Sequence, residues 1–170
     1  MPHNNSEILK DAAPFYDLFF TAKKVNIEKR QLKEMGFKNP FFIHQGYSEK
    51  FHYPIFKEDS FFKNKIIFIG YGEQDRFNHL NYLADNGIEI HVWGNGWKKF
   101  KNKNKNLKIY NKPIIGHSYA EALSNAYISL CFLRKLNNDK HTSRTFEIPA
   151  CQGFMMAESS QEQKSFFEEN

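Results

Sequence analysis

A chain of 170 residues with 41% apolar residues and 18 phenylalanines has the means to build a packed core, which excludes a disordered chain and predicts roughly one domain, or one and a piece. The formal charge of +5 suits a partner carrying phosphate without requiring nucleic acid. No apolar run approaches the ~20 residues of a membrane span and no signal-peptide pattern opens the chain, so no transmembrane segment and a cytoplasmic location are expected.

In chain order, Met1 to Pro14 is polar and irregular, with one weak helical patch from Ile8 to Ala13. The aromatic-dense run from Phe15 to Thr21 reads as a strand. Val25 to Met35 reads as a helix with Leu32 and Met35 on one face, stopped by Gly36. Pro40 to His44 reads as a second, buried strand. These segments make a strand–helix–strand unit of the size of a parallel crossover. Gln45 to Pro54, with Gly46, His52 and Pro54, reads as a crossing segment, and a second domain is expected from Ile55.

From there strands alternate with helices. Lys65 to Gly70 is a β-branched strand ended by glycine. Tyr71 to Arg76 turns into a helix carrying Leu80, Tyr82 and Leu83, closed by Asn86-Gly87. Ile88 to Trp93 is a strand ending at Gly94-Asn95-Gly96, Leu107 to Tyr110 a short strand, Tyr119 to Ala126 a helix and Tyr127 to Leu133 a strongly apolar strand. Gln161 to Phe167 begins a final helix. The expected fold is α/β, a doubly wound parallel sheet. Such sheets bind ligands at the carboxyl ends of their strands, which gathers the loops 71–76, 94–97, 111–117, 134–144 and 158–161 on one rim.

Several signals have competing explanations. Gly70-x-Gly72 lacks the third glycine of a dinucleotide fingerprint, so it marks either a plain strand-to-helix turn or a close approach to phosphate. The run from Lys98 to Lys105 looks like a nucleic-acid patch with Phe100 as its aromatic. No RNA- or DNA-binding module surrounds it, and a solvated loop is the simpler account, so no nucleic acid is expected as partner. His44, His117 and His141 share no ligand spacing, so neither a metal site nor a cofactor is expected. Cys131 and Cys151 lie in apolar or small-residue settings and read as buried free thiols.

The most informative stretch is His141 to Glu158. Polar groups open it, a short helix follows, Gly153 ends the helix, and Phe154 to Ala157 reads as a buried strand. Ser143 or Thr145 is suited to cap the helix, and Pro149 is tolerable near a first turn. Arg144 and the free backbone N–H groups of Ser143 to Thr145 would face a phosphate brought to that end. Glu147, one turn in, is an acceptor about where a ribose would lie beside it.

The run Ser-Arg-Thr-Phe-Glu-Ile-Pro-Ala-Cys-x-Gly-Phe-Met-Met-Ala-Glu, from Ser143 to Glu158, resembles the signature of the CgeB-like (spore-maturation-protein-like) glycosyltransferases of the GT-B fold. The family usually has Gly-Gly where this chain has Gln152-Gly153, and a side chain there is expected to crowd the turn or to close part of the nucleotide pocket. The resemblance implies a Rossmann-like donor domain over 55–170 and, over 1–54, a remnant of the N-terminal, acceptor-side domain with its inter-domain linker. It implies that Glu147 holds the nucleotide ribose and that Arg76 lies near the donor, although a solvated helix residue is an equal account of Arg76. Asp139 occupies about the place of the first acidic residue in the spaced glutamate pair of related retaining enzymes.

Residues and resemblance together predict metal-independent transfer of a sugar from a nucleotide-diphospho-sugar to an unknown glycan, protein or small-molecule acceptor. The expected donor-binding set is Arg76, Asp139, Ser143, Arg144, Thr145 and Glu147. The chain reads as a fragment lacking most of the acceptor side, for which activity alone is not expected and association with a missing N-terminal domain is. Two alternatives stand beside this: a non-catalytic nucleotide- or protein-binding module of the same fold, and a basic nucleic-acid binder whose binding would weaken steeply with salt.

Overall fold

The structure, a computed structural model, describes residues 6–168 and divides into two compact units. The irregular start expected at residues 1–5 lies outside the described residues. One unit takes the chain up to residue 45, 133–142 and from 160 onward; the other takes 46–132 and 143–159.

In the first unit, helix α1 (Ser6–Ala12) runs through a 3-10 turn at Ala13–Phe15 to strand β1 (Phe19–Thr21). Pro14 in that turn delays the strand, which starts four residues later than its aromatic run suggests. Helices α2 (Lys24–Glu28) and α3 (Gln31–Glu34) lead to β2 (Pro40–Phe42), which pairs with β1 in parallel. The strand–helix–strand unit is therefore present, but its single expected helix is two. Arg30 breaks it with a left-handed φ of 54°. Ala13, Leu32 and Phe37 form the core here, with the Phe19 ring 4.1 Å from that of Phe37. Strand alternation sends Phe20 and Phe41 to the opposite face, 56% and 48% exposed, so β2 is not the buried strand expected from its composition.

The second unit holds a five-stranded parallel sheet. Its strands are β3 (Ile66–Ile69), β4 (Ile90–Trp93), β5 (Leu107–Ile109), β6 (Ile128–Cys131) and β7 (Met155–Ala157), in the order β5-β4-β3-β6-β7. The order reverses between β3 and β6, the switch point at which doubly wound sheets open a crevice. Helix α4 (Gln74–Asp85) covers one face, and α5 (His117–Asn125) with α6 (Arg144–Ala150) covers the other. Alternation along β3 builds both cores: Ile67 and Ile69 pack with Ala122, Leu123 and Ile148, whereas Phe68 packs with Leu80, Ala84 and Val92. The last strand departs from expectation. Phe154 and Met156 are 63% and 52% exposed because β7 lies at the edge of the sheet, paired among the described residues with β6 alone.

The carboxyl ends of β3 and β4 are knitted together. The Trp97 indole N–H donates to the Gly70 carbonyl at 2.9 Å, and a Cβ at Gly94, whose φ is 138°, would stand 2.0 Å from that same oxygen. Gly72 donates its N–H to the Asn95 carbonyl at 2.8 Å, so it serves the turn between these strands. The Lys/Asn run between β4 and β5 is equally structural. Lys101, Lys103 and Lys105 are exposed, while Asn102 and Asn106 turn inward and donate to the carbonyls of Leu107 and Ala84. Phe100 stacks on Phe77 with ring centres 4.6 Å apart instead of facing solvent.

Pro149 lies in the last turn of α6, not the first, and the helix stops directly after it. The stop is a Schellman motif: Gly153 N–H bonds the Ile148 carbonyl and Gln152 N–H bonds that of Pro149. Gln152 therefore holds a left-handed position (φ 56°) that glycine normally fills, with its side chain exposed. At Gly153 space decides, since a Cβ would stand 2.3 Å from the Leu123 carbonyl oxygen. The chain then enters α7 (Gln161–Phe166) of the first unit, capped by Ser160, whose hydroxyl accepts from Gln163 N–H at 3.1 Å. In urea titrations Gln152→Gly is expected to stabilise the protein by about 0.5–1 kcal/mol, by relieving left-handed strain. Gly153→Ala is expected to destabilise it by about 1–3 kcal/mol.

Candidate functional site

Helix α6 sets Arg144 and Glu147 one turn apart, on one face. Glu147 is held from two sides. The Tyr119 hydroxyl, on α5, donates to its Oε2 at 2.6 Å, and the Nε2 of His52 stands 3.7 Å from Oε1. The His52 and Tyr119 rings meet edge to face, 5.9 Å between centres. Burial pushes the Tyr119 phenol far above the ordinary tyrosine range; nearby Arg144 opposes that shift and Glu147 adds to it. Burial, then Glu147, raises the Cys151 thiol to about 11. Cys131 and Cys151 are both buried, as their surroundings in the sequence suggested, and no disulfide joins them.

Two tethers build this cluster. The Ser124 hydroxyl of α5 donates to the Cys151 carbonyl at 2.8 Å, which binds α5 to the end of α6. The segment carrying His52 is strapped along α5: Ile55 N–H donates to the Ser124 hydroxyl at 3.0 Å and Lys57 N–H to Asn125 at 2.9 Å. Lys57 Nζ lies 2.7 Å from Glu121, whose carboxyl this bond holds below the usual carboxylate range. His52 itself sits in a tight turn in which Ser48 N–H donates to its Nδ1 at 3.0 Å.

Arg144 carries the least satisfied group of the site. Its Nε is buried, with no hydrogen-bond partner among the described residues. A buried donor left without an acceptor costs about 1–3 kcal/mol, and an arriving anion would remove that cost. Ser143 flanks it at the helix start, but neither Ser143 nor Thr145 caps α6. Ser143 already has helical angles and makes no side-chain cap bond, and Thr145 lies inside the helix at 0% exposure.

The other expected residues lie elsewhere. Arg76 folds back on its own turn, donating to the Tyr71 carbonyl at 3.0 Å, with Glu73 at 3.7 Å and the Phe68 ring beneath its guanidinium. It is not the solvated helix residue that one account of it proposed. Asp139 belongs to the first unit, where Lys23 Nζ lies 3.5 Å away. His141 is also a first-unit residue, fully buried, accepting from Gln45 N–H on Nε2 and facing Glu162 on Nδ1. Sequence reasoning missed Tyr119 and His52 as site residues: they lie 28 and 95 positions from Glu147 in the chain and meet it only through folding. It also missed a cavity against the stacked rings of Trp93 and Tyr110, 4.5 Å apart.

Among the described residues no helix is long and apolar enough to cross a membrane, and no group of three or more His, Cys, Asp or Glu is placed to hold a metal ion. The fold is a Rossmann-like doubly wound domain of the GT-B kind. Residues 76–170, more than half of the chain, match the family described as glycosyl transferase-like, and the chain belongs to that family. No curated protein matches the chain.

At neutral pH, Tyr119→Phe is expected to cost about 1.5–3 kcal/mol in urea titrations, the loss of a hydrogen bond to a charged acceptor. Because the folded phenol titrates above its unfolded value, that stabilisation is fully present below about pH 10 and declines as pH rises further. The wild type should therefore lose more stability in alkali than Tyr119→Phe.

Proposed function

We propose that the second unit is the donor-binding part of a glycosyltransferase that takes a nucleotide-diphospho-sugar, in the manner of the CgeB-like enzymes. One observation carries this: the buried, unsatisfied Nε of Arg144 lies one helical turn from a carboxylate whose orientation is already fixed by Tyr119. Glu147 accepts from ribose hydroxyls, and Arg144 donates to the diphosphate. When the bond from the anomeric carbon to the diphosphate breaks, negative charge grows on the leaving oxygen. An arginine already in place stabilises that charge without reorganising, so no metal is required for the departure. Helix α6 has only seven residues, and Arg144 contributes more than its backbone dipole. The acceptor hydroxyl, from a glycan, a protein or a small molecule, passes its proton to the departing diphosphate or to solvent as the new glycosidic bond forms. Arg76, Ser143 and Thr145 complete the proposed donor set within the second unit, Ser143 and Thr145 through backbone N–H groups. The proposed organisation is an acceptor-side remnant over 1–54 and a donor domain over 55–170.

A non-catalytic nucleotide-binding module is the second reading, favoured by the ion pair that engages Asp139 with Lys23. The two differ in turnover of a nucleotide sugar, which only the first allows.

Calorimetry against UDP, GDP, ADP, TDP and CMP, in buffer containing a chelator, tests the site. One nucleoside diphosphate is expected to bind, and Glu147→Gln and Arg144→Met are each expected to weaken it by about 10- to 150-fold. Equal affinity in wild type and both variants would refute the assignment.

A further inference from the structure

His52 takes no part in the sugar chemistry proposed above, yet its ring is oriented with care. Phe51 N–H and His52 N–H both bond the Ser48 carbonyl, and Ser48 N–H returns to the ring at Nδ1, 3.0 Å away. A backbone N–H can only donate, so Nδ1 is the acceptor and the neutral ring carries its proton on Nε2. That Nε2–H faces Glu147 Oε1 at 3.7 Å, too far for a hydrogen bond between them. Both side chains are 15% exposed, and Oε2 is already engaged by Tyr119. The pair therefore presents one donor and one acceptor, side by side and mostly shielded from solvent.

A hydroxyl oxygen about 2.8 Å from each atom closes a triangle on that 3.7 Å base, with an angle of roughly 80° at the oxygen. It donates its proton to Oε1 and accepts Nε2–H with a lone pair. A water satisfies the same geometry, and so does an alcohol; a carbon-bound hydrogen satisfies neither group. We infer that His52 Nε2 and Glu147 Oε1 together hold one ribose hydroxyl of the nucleotide, so that His52 is a specificity-determining residue that makes the site select ribonucleotides over a deoxy analogue. This rests on Glu147 being the ribose-binding carboxylate. It adds that the choice of sugar is made by the pair, because removing the hydroxyl strands a shielded donor and a shielded acceptor together.

Calorimetry with UDP, GDP and ADP, each beside its 2′-deoxy and 3′-deoxy counterpart, tests this. Whichever ribonucleotide binds is expected to exceed one of its two deoxy counterparts by about 10- to 100-fold. In His52→Asn, the side-chain oxygen keeps the bond to Ser48 N–H but nothing reaches Glu147, and discrimination should fall to within about threefold while binding persists. In His52→Gln, the longer amide restores a donor near the Nε2 position and a measurable part of the discrimination. Melting curves of both variants report folding, and either variant alone suffices to decide. Wild-type protein that binds ribo- and both deoxynucleotides alike, or His52→Asn that discriminates as well as wild type, overturns the inference while leaving Glu147 as the nucleotide carboxylate. If no ribonucleotide binds, the assignment of the site and this inference fall together.

Discussion

A carboxylate on the inner side of a helix is costly unless it is hydrogen-bonded, and Glu147 is bonded at Oε2 and faced by a ring nitrogen at Oε1. Tyr119 takes Oε2, His52 stands over Oε1, and Arg144 lies one turn away along α6. The three come from different parts of the chain: α5, the strapped segment before β3, and α6 itself. Placing Glu147 therefore constrains all three, and the bonds from Ser124 to Cys151 and from Ile55 to Ser124 maintain the constraint. What results is an oriented acceptor beside an unsatisfied guanidinium nitrogen. Because both the acceptor and its supports sit on helices and a tethered strap, little reordering is left for a ligand to impose.

The sheet beneath accounts for where the cluster falls. With β3 at the centre and the order reversing between β3 and β6, the segments that follow these strands converge at one end. On the β4 side that end is closed by backbone: Trp97 bonds to Gly70, and Gly94 lies too near Gly70 to carry a side chain. Glycines that might have bared backbone to a phosphate are instead used in packing two loops together. The work of meeting an anion is left to the α6 side, where Arg144 stands.

The fold was legible in the sequence because its signals are local. Each β-branched run ended by glycine became a parallel strand, and the helix stops at Asn86-Gly87 and Gly153 appeared where the side-chain chemistry placed them. Misjudgements arose where neighbours decide. Phe154 and Met156 read as core because composition does not tell an edge strand from a central one. Arg30 broke a helix whose spacing looked continuous, and the Lys/Asn run concealed an alternation in which asparagines turn inward. At the site, Arg144 and Glu147 were legible because one motif carries both. Tyr119 and His52 were not, since only folding brings them to Glu147, and Asp139 is held in the other compact unit.

The central claim is that a nucleotide diphosphate binds with its ribose on Glu147 and its phosphates on Arg144. A crystal structure of the protein soaked with the nucleoside diphosphate of highest affinity tests it most directly. The account predicts a ribose hydroxyl within hydrogen-bond distance of Glu147 Oε1 and a phosphate oxygen within reach of the Arg144 guanidinium. A nucleotide seated instead against the stacked rings of Trp93 and Tyr110, with Glu147 and Arg144 untouched, would contradict it.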